Sequence, residues 1–238
     1  MILGVLGTMV WDTIEHPDGA MVERWGGIAY SLAAGAAAAP DHWAIRPIIR
    51  VGSDLAEEAW AFLESVPHLD LPGGVVEVDE PNNRVHLRYR DRHHRDEQLT
   101  GGVSGWDWAE LAPRLEGLDG LYVNMISGFE LDADTVARVR DGFAGLRYVD
   151  LHSLVLDVDE DGLRVPRRPE QVEVWLGAFH VVQLNERELD IIAGHHEPAA
   201  VARAAVRSGA RAVLVTSPAR ASTSCSTCAT SSSATCSG

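Results

Sequence analysis

Residues 180–216 read HVVQLNERELDIIAGHHEPAAVARAAVRSGARAVLVT. Residues 180–184 are predicted to form a strand, and residues 210–216 are an apolar, β-branched run with the length of a buried strand. Between them, residues 186–193 and 198–208 have helical signals, and the second helix carries a proline at its first position. A strand, helices and a second strand in this order predict a crossover between parallel strands. The segment therefore favours a parallel sheet covered by helices.

The same alternation extends towards the N-terminus. Strands are predicted over residues 2–10, 44–51, 120–126 and 146–151, and helices over residues 28–39, 55–65, 106–115, 133–143 and 169–175. Asp54 is the expected N-cap of the helix over residues 55–65. Strands separated regularly by helices predict an α/β protein, built as a three-layer αβα sandwich around a mainly parallel central sheet.

One segment departs from this alternation. Residues 85–90 read VHLRYR, in which apolar and polar side chains alternate with period two. This pattern is typical of a strand with one solvent-facing side. Residues 73–78 are a candidate partner strand. The sequence thus predicts a small, half-exposed sheet added to the main one.

Composition and charge exclude several classes of partner. The chain has 238 residues, 46% of them hydrophobic, which is sufficient for one α/β domain with a full core. Its 20 basic and 35 acidic residues give a net charge of −15, which repels nucleic acid and anionic membranes. No apolar run has membrane-spanning length, and the start MILGVLGTMVWD lacks a basic leader region. We expect a cytoplasmic protein without nucleic-acid or membrane partners.

The tail differs from the rest of the chain. From Ser217 it reads SPARASTSCSTCATSSSATCSG, without Leu, Ile, Val, aromatic or acidic residues. A segment without apolar anchors cannot offset its ordering entropy, so residues 217–238 are predicted to be disordered. Cys225 and Cys228 form a CxxC pair, but only Cys236 is near, and a zinc site needs a second pair of ligands. No metal site is expected there.

The point where the tail begins suggests a reading error. A strand such as residues 210–216 normally continues into the fold. Codons compatible with residues 217–222, read from the third base, encode Thr-Gly-Ala-Gly-Val. We therefore expect a frameshift after Thr216, so that residues 1–216 form an α/β domain that is incomplete at its C-terminus.

Two motifs in the N-terminal part are candidates for ligand binding. In open parallel sheets, ligands bind beyond the carboxyl ends of the strands. Asp12 follows the first predicted strand and could accept hydrogen bonds from ligand hydroxyls, although a turn aspartate is the alternative. Gly26 and Gly27 precede a helix, where missing side chains let a ligand approach backbone N–H groups. An ordinary turn into the helix is the alternative for this pair.

A third motif follows residues 180–184. Asn185 and Glu188 have the spacing of a capping box, which explains their positions by itself. The functional alternative is that they organise hydrated magnesium near phosphates. No GxGxxG follows the first strand, and GxxxxGK[ST] does not occur in the chain. These two absences disfavour a dinucleotide-binding domain and a P-loop ATPase.

The order of these features resembles the ribokinase-like (PfkB-type) carbohydrate kinase family. The order is Asp12, the glycine pair, VGSD at residues 51–54, a two-strand insertion and Asn185-x-x-Glu188. The resemblance covers about residues 2–216. The chain departs from the family signatures at Ser31, where the family usually has Asn, and at Glu57, where it has Gly. These departures leave the identity of the sugar open.

The resemblance implies ATP-dependent phosphorylation of a sugar or sugar-like alcohol, with ATP and Mg²⁺ as cofactors and a small-molecule sugar or nucleoside as acceptor. The residues that it assigns to acceptor binding are Asp12, Gly26, Gly27 and Ser31. It assigns Asn185 and Glu188 to the nucleotide phosphates, with Glu188 contacting Mg²⁺ through water. The inserted segments, about residues 13–25 and 73–100, would form a lid that excludes water. A homodimer formed through this lid is compatible with the resemblance.

The resemblance also implies a general base in a later Gly-Ala-Gly-Asp motif, which the chain does not contain. Because general-base and positioning effects are each worth factors of about 10² or more, we expect the polypeptide as written to be nearly inactive. Two other functions stay open. One is a non-catalytic sugar-binding protein that kept Asp12 and the glycine pair, and the other is an unrelated nucleotide-binding α/β domain that acts as an interaction module.

Overall fold

The computed structural model describes residues 1–91, 94–217 and 224–225. The strands in these residues are β1 (Ile2–Leu6), β2 (Met9–Glu15), β3 (Met21–Gly27), β4 (Ala44–Gly52), β5 (Val75–Val78), β6 (Arg84–Tyr89), β7 (Arg95–Thr100), β8 (Gly120–Asn124), β9 (Leu146–Asp150), β10 (Leu156–Val158), β11 (Arg164–Pro166), β12 (Val181–Asn185), β13 (Ala212–Thr216) and β14 (Ser224–Cys225). The α-helices are α1 (Ile28–Ala38), α2 (Ala56–Ser65), α3 (Trp108–Leu111), α4 (Ala133–Gly142), α5 (Val172–Ala178), α6 (Glu186–Ala193) and α7 (Pro198–Arg207).

The main sheet has the strand order β14-β13-β12-β9-β8-β1-β4-β5. The seven strands from β13 to β5 are parallel, and β14 pairs antiparallel to β13. The predicted α/β class and the mainly parallel central sheet are confirmed. Apart from Ser217 and the backbone of β14, the predicted disordered tail lies outside the described residues.

Helices cover both faces of this sheet and enclose two apolar clusters. On one face, Ile28 and Leu32 of α1 and Leu63 of α2 pack against Ile45 and Ile49 of β4. The opposite face is covered by α3 to α7, which pack on the central strands β8, β9 and β12. This arrangement forms the three layers that the sequence predicted. No helix of the described segments is both long and apolar enough to cross a membrane.

The predicted first strand, residues 2–10, is two strands in the structure. β1 pairs with β4 and β8 in the main sheet, whereas β2 leaves that sheet and pairs with β3 and β6. The chain bends at Gly7, where a Cβ atom would lie 2.7 Å from Ile28 Cδ1 and 3.0 Å from the Asn124 carbonyl oxygen. Glycine is needed for this close approach. The prediction that Asp12 comes directly after the first strand is therefore wrong, because Asp12 lies within β2.

A second sheet, which we call the lid, has the strand order β3-β2-β6-β7. Val85 and Leu87 face the same side of it as Asp12, and His86 and Arg88 face the other side, as the period-two pattern predicted. Residues 73–78 do not contribute to the lid. Their strand, β5, pairs with β4 at the edge of the main sheet, and the Ile49 N–H donates to the Gly74 carbonyl at 3.0 Å.

One further prediction is wrong in its local detail. Asp54 does not cap α2, which begins at Ala56 without a side-chain cap. Its carboxylate instead accepts hydrogen bonds from the Asn82 N–H at 2.7 Å and from Arg84 at 2.6 Å, which joins the start of the helix to the lid.

Burial in the core predicts different effects on stability for two leucines of neighbouring strands. Leu121 of β8 is 1% exposed and Leu146 of β9 is 50% exposed. Leu121→Ala should lower the free energy of unfolding by about 2–5 kcal/mol, because it leaves a cavity. Leu146→Ala should change it by less than about 0.5 kcal/mol. Urea denaturation of both variants measures the difference, and equal effects would contradict this assignment of the core.

Candidate active site

The candidate site lies at the carboxyl ends of the central strands. After β1 the next strand of the main sheet is β4, on one side of β1, and the later strand β8 lies on the other side. The order of the strands along the chain therefore changes direction at β1. Such a change of direction in a parallel sheet opens a crevice for ligands. A cavity of about 350 Å³ occupies this place, between the sheet ends and the inner face of the lid. We call it the smaller cavity, and Asp12, Gly27, Ser31, Asn124 and Asp150 are among the residues that line it.

Asp12 reaches the smaller cavity from the lid. The residue is 7% exposed, and its carboxylate has no hydrogen bond or ion pair with any described residue. Burial raises its pKa to about 6, partly opposed by the charge of Arg24. A buried carboxylate without donors is costly unless a ligand supplies them. The alternative of a turn aspartate does not hold, because Asp12 lies inside a strand.

Gly26 makes room for the Asp12 carboxylate. The two residues are diagonal neighbours on one face of the β2–β3 hairpin. A Cβ atom at Gly26 would lie 1.9 Å from Asp12 Oδ2 and 2.4 Å from Asp12 Cγ. The prediction that this glycine exposes its N–H to a ligand is not supported by the geometry. Its missing side chain instead accommodates Asp12.

Gly27 has a different reason to be glycine. It is the N-cap of α1 with φ of 59° and ψ of −126°, a conformation that other residues avoid. The N–H of the next residue, Ile28, donates to the Thr8 carbonyl at 3.1 Å and is therefore not free for a ligand. Gly27 itself lines the smaller cavity, as predicted for a residue of the acceptor site.

Ser31 and Asn124 form a polar pair in the wall of the smaller cavity. The Asn124 Nδ2 group donates to Ser31 Oγ at 3.3 Å. Asn124 Oδ1 is buried and has no hydrogen-bond partner among the described residues. Sequence reasoning did not select Asn124. The available signal was its position as the last residue of the apolar run at residues 120–124.

Asp150 was also missed. It ends β9 directly opposite Asn124, in register. Its Oδ2 accepts a hydrogen bond from Gln183 Nε2 at 2.7 Å, and Gln183 in turn accepts one from the Tyr148 hydroxyl. Burial is the largest cause that raises the pKa of Asp150. The signal in the sequence was again a polar residue at the end of an apolar strand.

A larger cavity of about 770 Å³ adjoins the smaller one. The walls of both cavities include Arg95, Glu97, His152 and Ser153. Asn185 and Glu188 line the larger cavity and not the smaller one. A ligand in one cavity therefore lies beside a ligand in the other. The sequence-predicted residues are divided accordingly, with Asp12, Gly27 and Ser31 on one side and Asn185 and Glu188 on the other.

Asn185 and Glu188 form the capping box that the sequence predicted. Asn185 Oδ1 accepts from the Glu188 N–H at 2.9 Å, and Glu188 Oε2 accepts from the Asn185 N–H at 2.8 Å. Glu188 Oε1 accepts from Asn185 Nδ2. Both carboxylate oxygens thus already hold a donor. In the described part of the chain, no group of three or more His, Cys, Asp or Glu side chains is arranged to hold a metal ion.

His152 lies where the two cavities meet. Its Nδ1 is 3.5 Å from Glu188 Oε1, and this interaction raises the pKa of His152 against the opposite effect of burial. The residue has φ of 24°, in the left-handed region that favours glycine. Strained backbone of this kind concentrates at functional sites. No pattern in the sequence distinguished this histidine from the others.

Glu130 fixes the bend that carries Asp12 into the lid. This carboxylate is 2% exposed. It accepts hydrogen bonds from the Thr8 hydroxyl at 2.7 Å and from the Gly128 N–H at 3.0 Å. Thr8 stands between β1 and β2, so Glu130 ties the start of the lid to the loop that follows β8.

Comparison with known proteins rests on structure alone. No protein-family model matches the chain, and no curated protein matches its sequence. A pyrophosphate-dependent kinase in the ribokinase family, in complex with sulfate, superposes with a TM-score of 0.72 at 17% identity, over 91% of this chain and 73% of that one. The pyrophosphate-dependent kinase complexed with a pyrophosphate analogue and myo-inositol gives 0.69 at 16%, over 91% and 73%. Fructokinase from Xylella fastidiosa with bound ATP gives 0.68 at 16%, over 92% and 69%.

These likenesses define the class of fold. The chain has the fold of the ribokinase-family carbohydrate kinases, as the order of its sequence motifs predicted. It spans 69–73% of the length of the three structures.

Replacing Gly26 tests the geometry of Asp12. Gly26→Ala should lower the free energy of unfolding by about 1–3 kcal/mol, because the new methyl group displaces the Asp12 carboxylate. Gly102→Ala is the matched control, since its Cβ atom would meet nothing closer than Glu80 Cβ at 3.3 Å. We expect the control to change stability by less than about 1 kcal/mol in urea denaturation. Similar losses in both variants would contradict the contact between Gly26 and Asp12.

Proposed function

We propose that this chain belongs to a kinase that transfers a phosphoryl group from ATP to a sugar or a sugar-like alcohol. The observation that carries the proposal is the buried Asp12 carboxylate, which has no hydrogen bond or ion pair among the described residues and faces a cavity of small-molecule size. Small-molecule sites combine such a cavity with a few convergent polar groups and perturbed titratable residues. The ribokinase-like fold supports the same reaction class.

The acceptor would occupy the smaller cavity. Asp12 accepts hydrogen bonds from its hydroxyl groups, and Ser31 and Asn124 supply further polar contacts. Val85 and Leu87 of the lid line the same cavity. Their apolar side chains exclude water from the acceptor, which limits transfer of the phosphoryl group to water. A small sugar or a nucleoside has the size and hydroxyl content that this site requires.

The donor would occupy the larger cavity, so that its terminal phosphate meets the acceptor near His152. ATP supplies the phosphoryl group, and Mg²⁺ neutralises the phosphate charge when bound. Asn185 and Glu188 are the residues that would hold this pair. Because both oxygens of Glu188 already accept hydrogen bonds, the site fits a contact to hydrated Mg²⁺ through water rather than direct coordination.

The transfer also needs a group that removes the proton from the acceptor hydroxyl. We assign it to an aspartate encoded beyond Thr216 in a shifted reading frame, and this assignment stays a prediction. The polypeptide as written would then bind the acceptor but turn over very slowly. The expected cytoplasmic location and the homodimer through the lid are likewise untested predictions.

Calorimetric titration of the 238-residue chain tests acceptor binding. We expect saturable binding of at least one compound among D-ribose, D-fructose, myo-inositol and adenosine. Asp12→Ala should weaken this binding by about 10- to 100-fold, because it removes a charged hydrogen-bond acceptor worth about 1.5–3 kcal/mol. Glu15→Ala is the matched control, since Glu15 lies on the same strand, pairs with Arg88 and lines neither cavity. Its affinity should be unchanged.

The same samples distinguish a kinase from a non-catalytic sugar-binding protein. The chain with its frame shifted after Thr216 should release ADP in the presence of the bound sugar, with pyrophosphate tested as an alternative donor. Binding that requires Asp12, without turnover by either chain and with either donor, would favour the sugar-binding protein. Absence of any binding that depends on Asp12 would overturn the proposal.

A further inference from the structure

The charges in the wall of the smaller cavity are unequal. Three carboxylates line it, those of Asp12, Glu97 and Asp150, and the only basic side chains among its lining residues are Arg95 and His152. A cluster of acidic groups alone does not define a ligand. The ion pairs and hydrogen bonds of each group decide which charges remain available to a ligand.

Glu97 and the two basic groups are already engaged. Arg95 Nη2 and Arg164 Nε lie 3.5 and 3.8 Å from the Glu97 carboxylate. Arg95 also donates to the Tyr89 hydroxyl at 3.0 Å. His152 faces Glu188 of the larger cavity at 3.5 Å. These ion pairs compensate the charges of Glu97, Arg95 and His152. The carboxylates of Asp12 and Asp150 are then the charged groups of the cavity wall that have no ion pair within the described residues.

Neither Asp12 nor Asp150 forms an ion pair within the described residues. The Asp150 carboxylate accepts hydrogen bonds from the neutral Gln183 side chain and from the His152 backbone N–H. The charge of His152 lowers the pKa of Asp150, but burial has the larger, opposite effect.

Arg24 stands opposite Asp12 in the hairpin register, and the charges of Arg24 and Arg95 lower the pKa of Asp12 against the larger effect of burial. The Arg24 guanidinium lies over the Tyr30 ring, 5.8 Å from the ring centre. Two buried carboxylates that face one cavity without an ion pair are unfavourable unless a ligand adds to the partial compensation from Arg24, Arg95 and His152.

The other unsatisfied group of this cavity is also an acceptor. Asn124 is 8% exposed, and its Oδ1 has no donor within the described residues. A ligand that satisfies Asp12, Asp150 and Asn124 must therefore bring N–H or O–H donors. A hydroxyl brings one donor together with two lone pairs, whereas an ammonium brings three donors, a positive charge and no acceptor. The ammonium is the better complement.

We infer that the acceptor carries a protonated amine, so that it is an amino sugar or an amino polyol whose charge is compensated by Asp12 and Asp150. This inference rests on the proposed function, because it names the substrate class of the same cavity. Sugar phosphates and sugar acids are disfavoured, since their negative charge would face the same carboxylates.

Paired ligands that differ in one group test the inference. The affinities of D-glucosamine and D-glucose, and of an aminodeoxy-inositol and myo-inositol, are measured by calorimetry near neutral pH. We expect the amine of at least one pair to bind at least tenfold more tightly than its hydroxyl parent. D-glucose 6-phosphate should bind more weakly than D-glucose. Added salt should reduce the preference for the amine, because the attraction is ionic.

Matched variants assign the preference to the cavity. Asp150→Asn keeps the shape of the side chain and removes its charge, so the ratio of amine to hydroxyl affinity should fall towards one. Glu15→Gln makes the same change of charge on the lid, outside both cavities, and should keep the ratio. Thermal unfolding establishes that each variant is folded. If Asp150→Asn does not fold, the salt dependence of the wild-type ratio replaces it.

The outcomes separate the two proposals. Binding of neutral polyols that requires Asp12, with equal or weaker binding of the amines, would overturn the cationic acceptor and leave the proposed function intact. A preference for amines that Asp150→Asn leaves unchanged would also overturn it. If neither amines nor neutral polyols bind in a manner that depends on Asp12, the proposed function fails and this inference fails with it.

Discussion

The contact between the Asp12 carboxylate and Gly26 is the constraint on which the site depends. The missing side chain of Gly26 leaves a space on the inner face of the hairpin, and the carboxylate occupies it. The carboxylate is thereby held away from bulk water but not against any donor of the described residues. It faces the crevice beside β1 and β8, where a ligand can supply what the protein does not.

Two sets of buried hydrogen bonds hold the lid on the sheet. Glu130 joins Thr8 to the loop after β8. Asn82, which is fully buried, donates to the Met9 carbonyl at 3.1 Å and accepts from the Gly52 N–H at 3.0 Å. These bonds connect the bend before β2, the end of β4 and the start of β6. The lid is therefore positioned by its hinges, and its inner face remains available to a ligand.

The sequence predicted what depends on local pattern. The alternation of strands and helices and the capping box of Asn185 and Glu188 follow from spacing along the chain, and both are confirmed. It did not locate the bend at Gly7, because residues 2–10 have only one polar side chain, that of Thr8, and have the pattern of a single strand. Asn124 and Asp150 were missed, since their proximity arises from the pairing of β8 with β9 across distant segments. The balance of charges in the smaller cavity could not be predicted either, because its lining residues come from distant parts of the chain.

The most direct test of this account is the pKa of Asp12, measured by NMR titration of its side-chain carboxyl carbon in the chain without ligand. We expect a pKa of about 6, because burial of the carboxylate outweighs the charges of Arg24 and Arg95. Asp12→Asn identifies the resonance by its loss. A value near the ordinary one of about 4 would contradict the account, since it would mean that the carboxylate is hydrated or already paired.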